Sequence, residues 1–234
     1  MKNVFYLSII ALCSVMVSCG NKEVQNNEEK EEISLQASQE ISAIRVAMNL
    51  AKYGYEVESA SALIEAANIL VSTPTQDLEA EIEQGQVNAN ESEKADKSEI
   101  SPNQLLIDAR RFAVDDPHLL ALANNVEAKL NIEEGETRGA MGGPKYALGS
   151  VSAHSYTFYD AKFWANEIAE IAVSGDGDTD LDLYVYDENG NCIVSDTDYT
   201  DDCYVRFCPR WTGLFRIKIV NRGGVYNKYA IVTN

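Results

Sequence analysis

The segment Ser174–Asn191, SGDGDTDLDLYVYDENGN, constrains the fold more than any other stretch of the chain. Asp176, Asp178, Asp180 and Asp182 alternate with other residues and run into the apolar alternation Leu181, Leu183, Val185. A period of two marks a strand with one buried face. That strand closes on Asn189-Gly190, a pair that tolerates positive φ and suits a tight hairpin. Carboxylates are thereby gathered at the mouth of a β-sheet domain.

The same period runs through the whole stretch from Ser150 onward. Short strands are predicted at Ser155–Tyr159, Glu167–Val173, Leu181–Tyr186, Cys192–Ser195, Cys203–Phe207, Leu214–Val220 and Tyr226–Val232, broken by Gly, Asn and Asp. This spacing predicts an antiparallel, jelly-roll-like β-sandwich over 150–234. Phe215, Ile217 and Ile219 would face inward, Arg216 and Lys218 outward.

Residues 33–134 carry a helical period instead. Ile41, Ile44, Met48, Ala51 and Tyr55 form one apolar stripe, and Leu63, Ala66, Ala67 and Leu70 a second that stops at Thr73-Pro74. Ser101-Pro102-Asn103-Gln104 is a helix start, with Ser as N-cap and Pro at the first helical position. Asp116-Pro117 repeats that signal before a fourth helix. Gln84–Ser98 is polar and reads as a loop. Gly135–Gly149, with five glycines and a proline, reads as an interdomain linker. The fold class is therefore α+β in two domains, about four helices followed by the sandwich.

The C-terminal half resembles the bacterial pre-peptidase C-terminal domain, a β-sandwich appended to many secreted proteases. Gly175–Asp187 carries the resemblance, with Asn189-Gly190, Trp211-Thr212-Gly213-Leu214-Phe215 and Val220-Asn221. It covers roughly residues 144–234. No peptidase-like region accompanies it in this sequence, so the resemblance implies a fold and an accessory or binding role.

The N-terminus reads as a secretory signal over 1–18: Lys2, an apolar run from Val4 to Val17, then a small-residue edge. Met16-Val17-Ser18-Cys19 resembles the lipobox of bacterial lipoproteins, which implies lipidation (diacylglycerol, palmitate) at Cys19 and an outer-membrane location in the cell envelope. The acidic stretch after it resembles a surface-export signal and equally suits a plain solvated linker, so the periplasmic and surface faces both stay open. Residues 19–32, NKEVQNNEEKEE from Asn21, have nothing to bury and are expected as a disordered acidic tether. The formal net charge of -18 excludes nucleic acid as a partner, since phosphates need Lys and Arg clusters.

Three cysteines fall in the sandwich: Cys192, Cys203 and Cys208. An exported chain permits a disulfide. If Ile193–Asp202 is a hairpin, Cys192 and Cys203 lie opposite each other and bridge, leaving Cys208 free.

From Ser174 to Val205 there are ten Asp or Glu and no Lys or Arg, whereas Arg206–Asn234 holds six Lys or Arg and no acid. Alternating aspartates with a Gly-rich turn suit calcium, which takes six to eight oxygens. Asp176, Asp178 and Asp180, joined by Asp198 or Asp201, are the candidate ligands. Equally, the acidic strands can pair with basic ones, through Arg206, Arg216 and Lys218.

Tyr184 and Tyr186 share a strand face, and with Trp211 they are the candidate binding surface for a protein or glycan ligand. Catalysis has no matching signal. His154 and Ser155 are strand neighbours and point apart, and neither a nucleophile elbow nor a zinc-hydrolase motif occurs. The expected function is a lipid-anchored, non-enzymatic binding or attachment protein, calcium-stabilised if the aspartates converge. The alternative is an accessory or inhibitory subunit of a separately encoded secreted hydrolase.

Overall fold

A computed structural model of the chain describes residues 21–78, 100–133 and 144–234. The expected signal, Cys19, the Gln84–Ser98 loop and most of the glycine-rich linker lie outside the described residues. Ser34–Asn234 cluster as one compact unit.

The described residues hold four helices, α1 (Asn21–Glu56), α2 (Ala60–Ser72), α3 (Pro102–Ala113) and α4 (Pro117–Glu133), with the two-residue strand Gln76–Asp77 between α2 and α3 and the other strands after α4. The predicted caps start α3 and α4, where Ser101 accepts the N–H of Gln104 at 3.3 Å and Asp116 that of His118 at 2.9 Å. Ser59 caps α2 in the same way, accepting the N–H of Ala62 at 3.4 Å. The stretch Asn21–Glu32, expected as a disordered tether, is helical and opens α1. Its Glu, Lys and Gln are good helix formers. No helix among the described residues is long and apolar enough to cross a membrane.

Among the described residues nine strands form two sheets. One has the order β1-β2-β9-β4-β7, made of Gln76–Asp77, Lys145–Val151, Asn227–Thr233, Ala169–Ser174 and Asp202–Phe207. The other has the order β3-β8-β5-β6, made of Tyr156–Phe163, Gly213–Asn221, Leu181–Tyr186 and Cys192–Asp196. All pairings are antiparallel except that of β1 with β2. The core between them holds Leu181, Leu183, Val185, Phe215, Ile217 and Ile219, facing Ile171, Val173 and Ile231.

Two boundaries differ from the sequence expectation. The sandwich begins at Lys145, because Lys145–Gly149 pairs with Tyr229–Thr233 as part of β2. The helical region also shares a core with the sandwich. Ile41, Ile44 and Met48 of α1 pack on Ala172, Ala230 and Val232, on the outer side of the five-stranded sheet. Residues 34–234 fall in one compact unit.

This contact explains a contrast between strands. β4 is buried at every position and β9 at all but Lys228, because both of their faces are covered. β8 alternates, with Phe215, Ile217 and Ile219 buried and Leu214 and Arg216 exposed. The outer face of the four-stranded sheet is open.

Candidate functional site

The acidic end of the sandwich is built by the β4–β5 loop, the β6–β7 loop and the last turns of α1. Asp201 is buried and accepts the backbone N–H of Gly177 through one oxygen, while its other oxygen lies 3.1 Å from Lys52 Nζ. Lys52 also reaches Asp202 at 2.7 Å, and Asp202 accepts the Ser174 hydroxyl at 2.5 Å. Asp198 accepts both the N–H and the hydroxyl of Thr200, at 2.8 and 2.7 Å. Asp176 accepts the N–H of Lys228 at 3.1 Å, and Asp178 is exposed.

Asp180 has one buried oxygen without a hydrogen-bond partner. Burial pushes its carboxyl up, with Asp182 and Asp198 adding to the rise and Arg222 opposing it. Among the described residues, no group of three acidic, His or Cys side chains is placed to hold a metal ion. The five expected calcium ligands are thus not assembled into one shell. Asp201 and Asp198 are committed to hydrogen bonds that shape the loops, and the cation beside Asp201 is an ammonium.

The expected Cys192–Cys203 bridge is not formed, and Cys192, Cys203 and Cys208 are free thiols. The hairpin premise fails, because β6 and β7 belong to different sheets and the segment between them crosses the sandwich. Cys203 points into the core, its sulfur 3.1 Å from the Leu181 carbonyl, while Cys192 is exposed.

The second cluster is the open outer face of the four-stranded sheet. Register sets its rows: Phe158, Lys218 and Tyr184 lie side by side across β3, β8 and β5, and so do Asp160, Arg216 and Tyr186. Arg216 donates to Asp160 in bidentate fashion, Nε and Nη2 each at 2.9 Å. This hydrogen-bonded guanidinium holds the Asp160 carboxyl below its ordinary range, against a smaller effect of burial. Lys218 Nζ stands 4.3 Å from the ring centre of Tyr156 and 5.7 Å from that of Phe158. Among the described residues, no carboxylate pairs with Lys218.

Tyr184 and Tyr186 stack with centroids 6.2 Å apart and planes at 21°. The Tyr184 hydroxyl is tied to Asp182 at 3.0 Å, and Arg222 bridges both groups. Between the β3 wall and the β5–β6 turn lies an open depression of about 490 Å3 along β8. Phe158 and Asp160 line one side, Tyr186, Asp187 and Glu188 the other, with Leu214, Arg216 and Lys218 beneath.

The structure therefore brings Tyr184 and Tyr186 together and sets Trp211 apart. Trp211 packs on the core ring of Phe215 at 5.6 Å, and its indole N–H holds Glu188 at 2.9 Å on the rim. Phe158, Asp160, Glu188 and Lys218 are site residues that aromatic spacing alone does not reveal. Of the basic residues expected to face the acidic cluster, Arg216 pairs with Asp160 of β3 and Arg206 approaches Glu170 of β4 at 3.5 Å. His118 lies at the start of α4 and His154 in the β2–β3 turn at φ 54°; neither lines this face.

No protein-family model matches the sequence, and no curated protein does. Several solved structures align with part of it. The periplasmic g-type lysozyme inhibitor PliG of Aeromonas hydrophila aligns over 42% of this chain and 90% of its own, at 12% identity and TM-score 0.33. The pre-peptidase C-terminal domain of a Bacillus anthracis collagenase aligns over 38% and 88%, at 11% identity and TM-score 0.32. A carbohydrate-binding module of Cellvibrio mixtus lichenase 5A aligns over 41% and 89%, at 10% identity and TM-score 0.27. Such partial likeness leaves the chemistry of the site to its own side chains.

Proposed function

We propose that this chain is a non-catalytic binding protein of the cell envelope, held by a lipid on Cys19, that meets its ligand with the outer face of the four-stranded sheet. One contrast carries the binding part. The five-stranded sheet has its outer side covered by α1, whereas the other sheet leaves aromatic rings and Lys218 uncovered along β8. A half-buried Lys with no carboxylate partner among the described residues, set among aromatic rings, is a ready point of attachment for a ligand. The anchor rests on the Met16–Cys19 sequence.

Two experiments test the two parts. Tyr186→Ala should abolish retention of envelope material by the immobilised protein while leaving the melting temperature near that of the wild type. Retention unchanged in the variant would remove the face from the function. Cys19→Ala should release the protein from the membrane fraction, and continued partition into detergent would remove the anchor. If the retained material is a secreted hydrolase whose activity the protein alters, the accessory or inhibitory role is the form this binding takes.

A further inference from the structure

We infer that the ligand of this face is a neutral, hydroxyl-rich glycan chain lying along β8, an inference that rests on the binding role proposed above. The first reason lies in the backbone. β8 is paired along both edges, with β3 from Phe163 to Tyr156 and with β5 from Tyr186 to Leu181. A chain laid over it finds no open strand edge, so an extended peptide cannot add as another strand. Side chains alone must do the recognising.

Those side chains combine flat apolar surface with paired charges. Phe158 and Tyr186 flank the depression, and Leu214, 60% exposed, adds an aliphatic patch in its floor. Pyranose rings present C–H faces that pack on such surfaces. Their hydroxyls both donate and accept, so they need acceptors and donors within reach, and charged ones bind them more strongly. Asp160 meets the first need: each of its oxygens takes one bond from Arg216 and a carboxylate has about four acceptor sites. Lys218 meets the second, with three N–H donors and, among the described residues, no carboxylate to occupy them.

Charge balance decides between glycan classes. The depression carries Asp160, Asp187 and Glu188 against Arg216 and Lys218, within a chain of net charge -18. A polyuronate or sulfated chain would meet repulsion from the walls and from the molecule as a whole. A polycation would meet Arg216 and Lys218 in the floor. An uncharged polyol meets neither obstacle.

Affinity electrophoresis of the full chain through gels containing soluble β-glucan, xylan, mannan, alginate or a sulfated galactan tests this. At least one neutral polysaccharide should retard the protein. Its apparent affinity should change less than about twofold between roughly 50 and 300 mM NaCl, since no counterions are released. Tyr186→Ala and Lys218→Met should each weaken it by about tenfold or more, near 1.4 kcal/mol, with melting temperatures unchanged. Retardation by the charged polymers only, or by none of the five, overturns the inference. If a protein ligand is bound instead and Tyr186→Ala abolishes that binding, the glycan is wrong and the face stands. Neutral-glycan binding indifferent to both substitutions overturns the site and its ligand together.

Discussion

Lys52, three turns into the packed part of α1, places its ammonium 3.1 Å from Asp201 in the β6–β7 loop, a contact spanning the helical and sheet regions. The carboxylate is 8% exposed and also accepts the Gly177 N–H, so one residue orders both acidic loops. A cation in this position does what a bound calcium would do, and it is covalently part of the chain.

Lys52→Met should therefore lower stability by about 1–3 kcal/mol, because two neighbouring carboxylates lose their counter-charge while Asp201 stays buried. The wild-type melting temperature should not respond to millimolar calcium. The variant's should rise with it, since a ligand bound only by the folded state stabilises that state. A calcium-dependent rise in the wild type would show that the aspartates accept the metal with Lys52 in place.

Gly149 in β2 lies against the buried hydroxyl pair of Tyr159 and Tyr229, whose oxygens are 2.9 Å apart. A Cβ at Gly149 would stand 2.6 Å from the Tyr159 oxygen and 2.6 Å from Tyr229 Cζ. Both rings are packed and cannot retreat, so Gly149→Ala should cost about 1–3 kcal/mol by overpacking. Urea unfolding measures it, and a midpoint equal to the wild type would mean that the rings shift freely.

The same pair predicts an alkaline limit. Burial pushes both phenols above their ordinary value of 10.0. The folded state keeps protons that the unfolded chain releases near that value, so the pair's contribution is intact below about pH 10 and is lost as pH rises above it. The Tyr159→Phe, Tyr229→Phe double variant should show a shallower loss of stability between roughly pH 10 and 11.5. Parallel curves for the two proteins would assign the alkaline loss to other groups.

Much of this architecture is legible in local chemistry. Ser101-Pro102 and Asp116-Pro117 start helices where capping says they should, and Phe215, Ile217 and Ile219 face the core as their alternation requires. What stays hidden depends on long-range neighbours. Ala147 and Leu148 look like linker until β9 pairs with them, and Ile193–Asp202 looks like a hairpin until its two strands enter different sheets. Tyr184 and Tyr186 were readable as a surface pair by parity. Lys218 reads as outward-facing by the same parity, but its place between Phe158 and Tyr184, and that of Asp160 beside Arg216, do not, because β3, β8 and β5 meet only through the sheet order. The consecutive apolar residues Ile171-Ala172-Val173 of β4 are the available sign that this strand is covered on both faces.

Cys203 should behave unlike its two neighbours. Burial, reinforced by the carboxylates of Asp196, Asp198, Asp182 and Asp201, drives its thiol far above the ordinary range. Only the thiolate reacts readily. Alkylation of the native protein followed by peptide mass spectrometry should find Cys192 and Cys208 modified and Cys203 modified only after unfolding. Rapid native labelling of Cys203 would mean that β7 opens locally.

The contact between α1 and the five-stranded sheet has the largest expected consequence for stability. Met48 and Ile44 are fully buried against Ala172, Ala230 and Val232, small residues that let the helix approach the sheet. Arg45 lies over the Tyr204 ring at 4.4 Å, and Tyr204 in turn donates to Glu170 at 2.5 Å, which seals the edge of the contact. Met48→Ala should cost about 2–5 kcal/mol, the transfer of the side chain plus the cavity it leaves. The sandwich expressed alone, residues 144–234, would expose the same apolar patch on β4 and β9 and should associate or melt well below residues 34–234. Circular dichroism melts and sedimentation of the two pieces decide the matter. A monomeric sandwich melting with the longer piece would show that the sheet's outer side needs no cover, and the helices would then be a separate body after all.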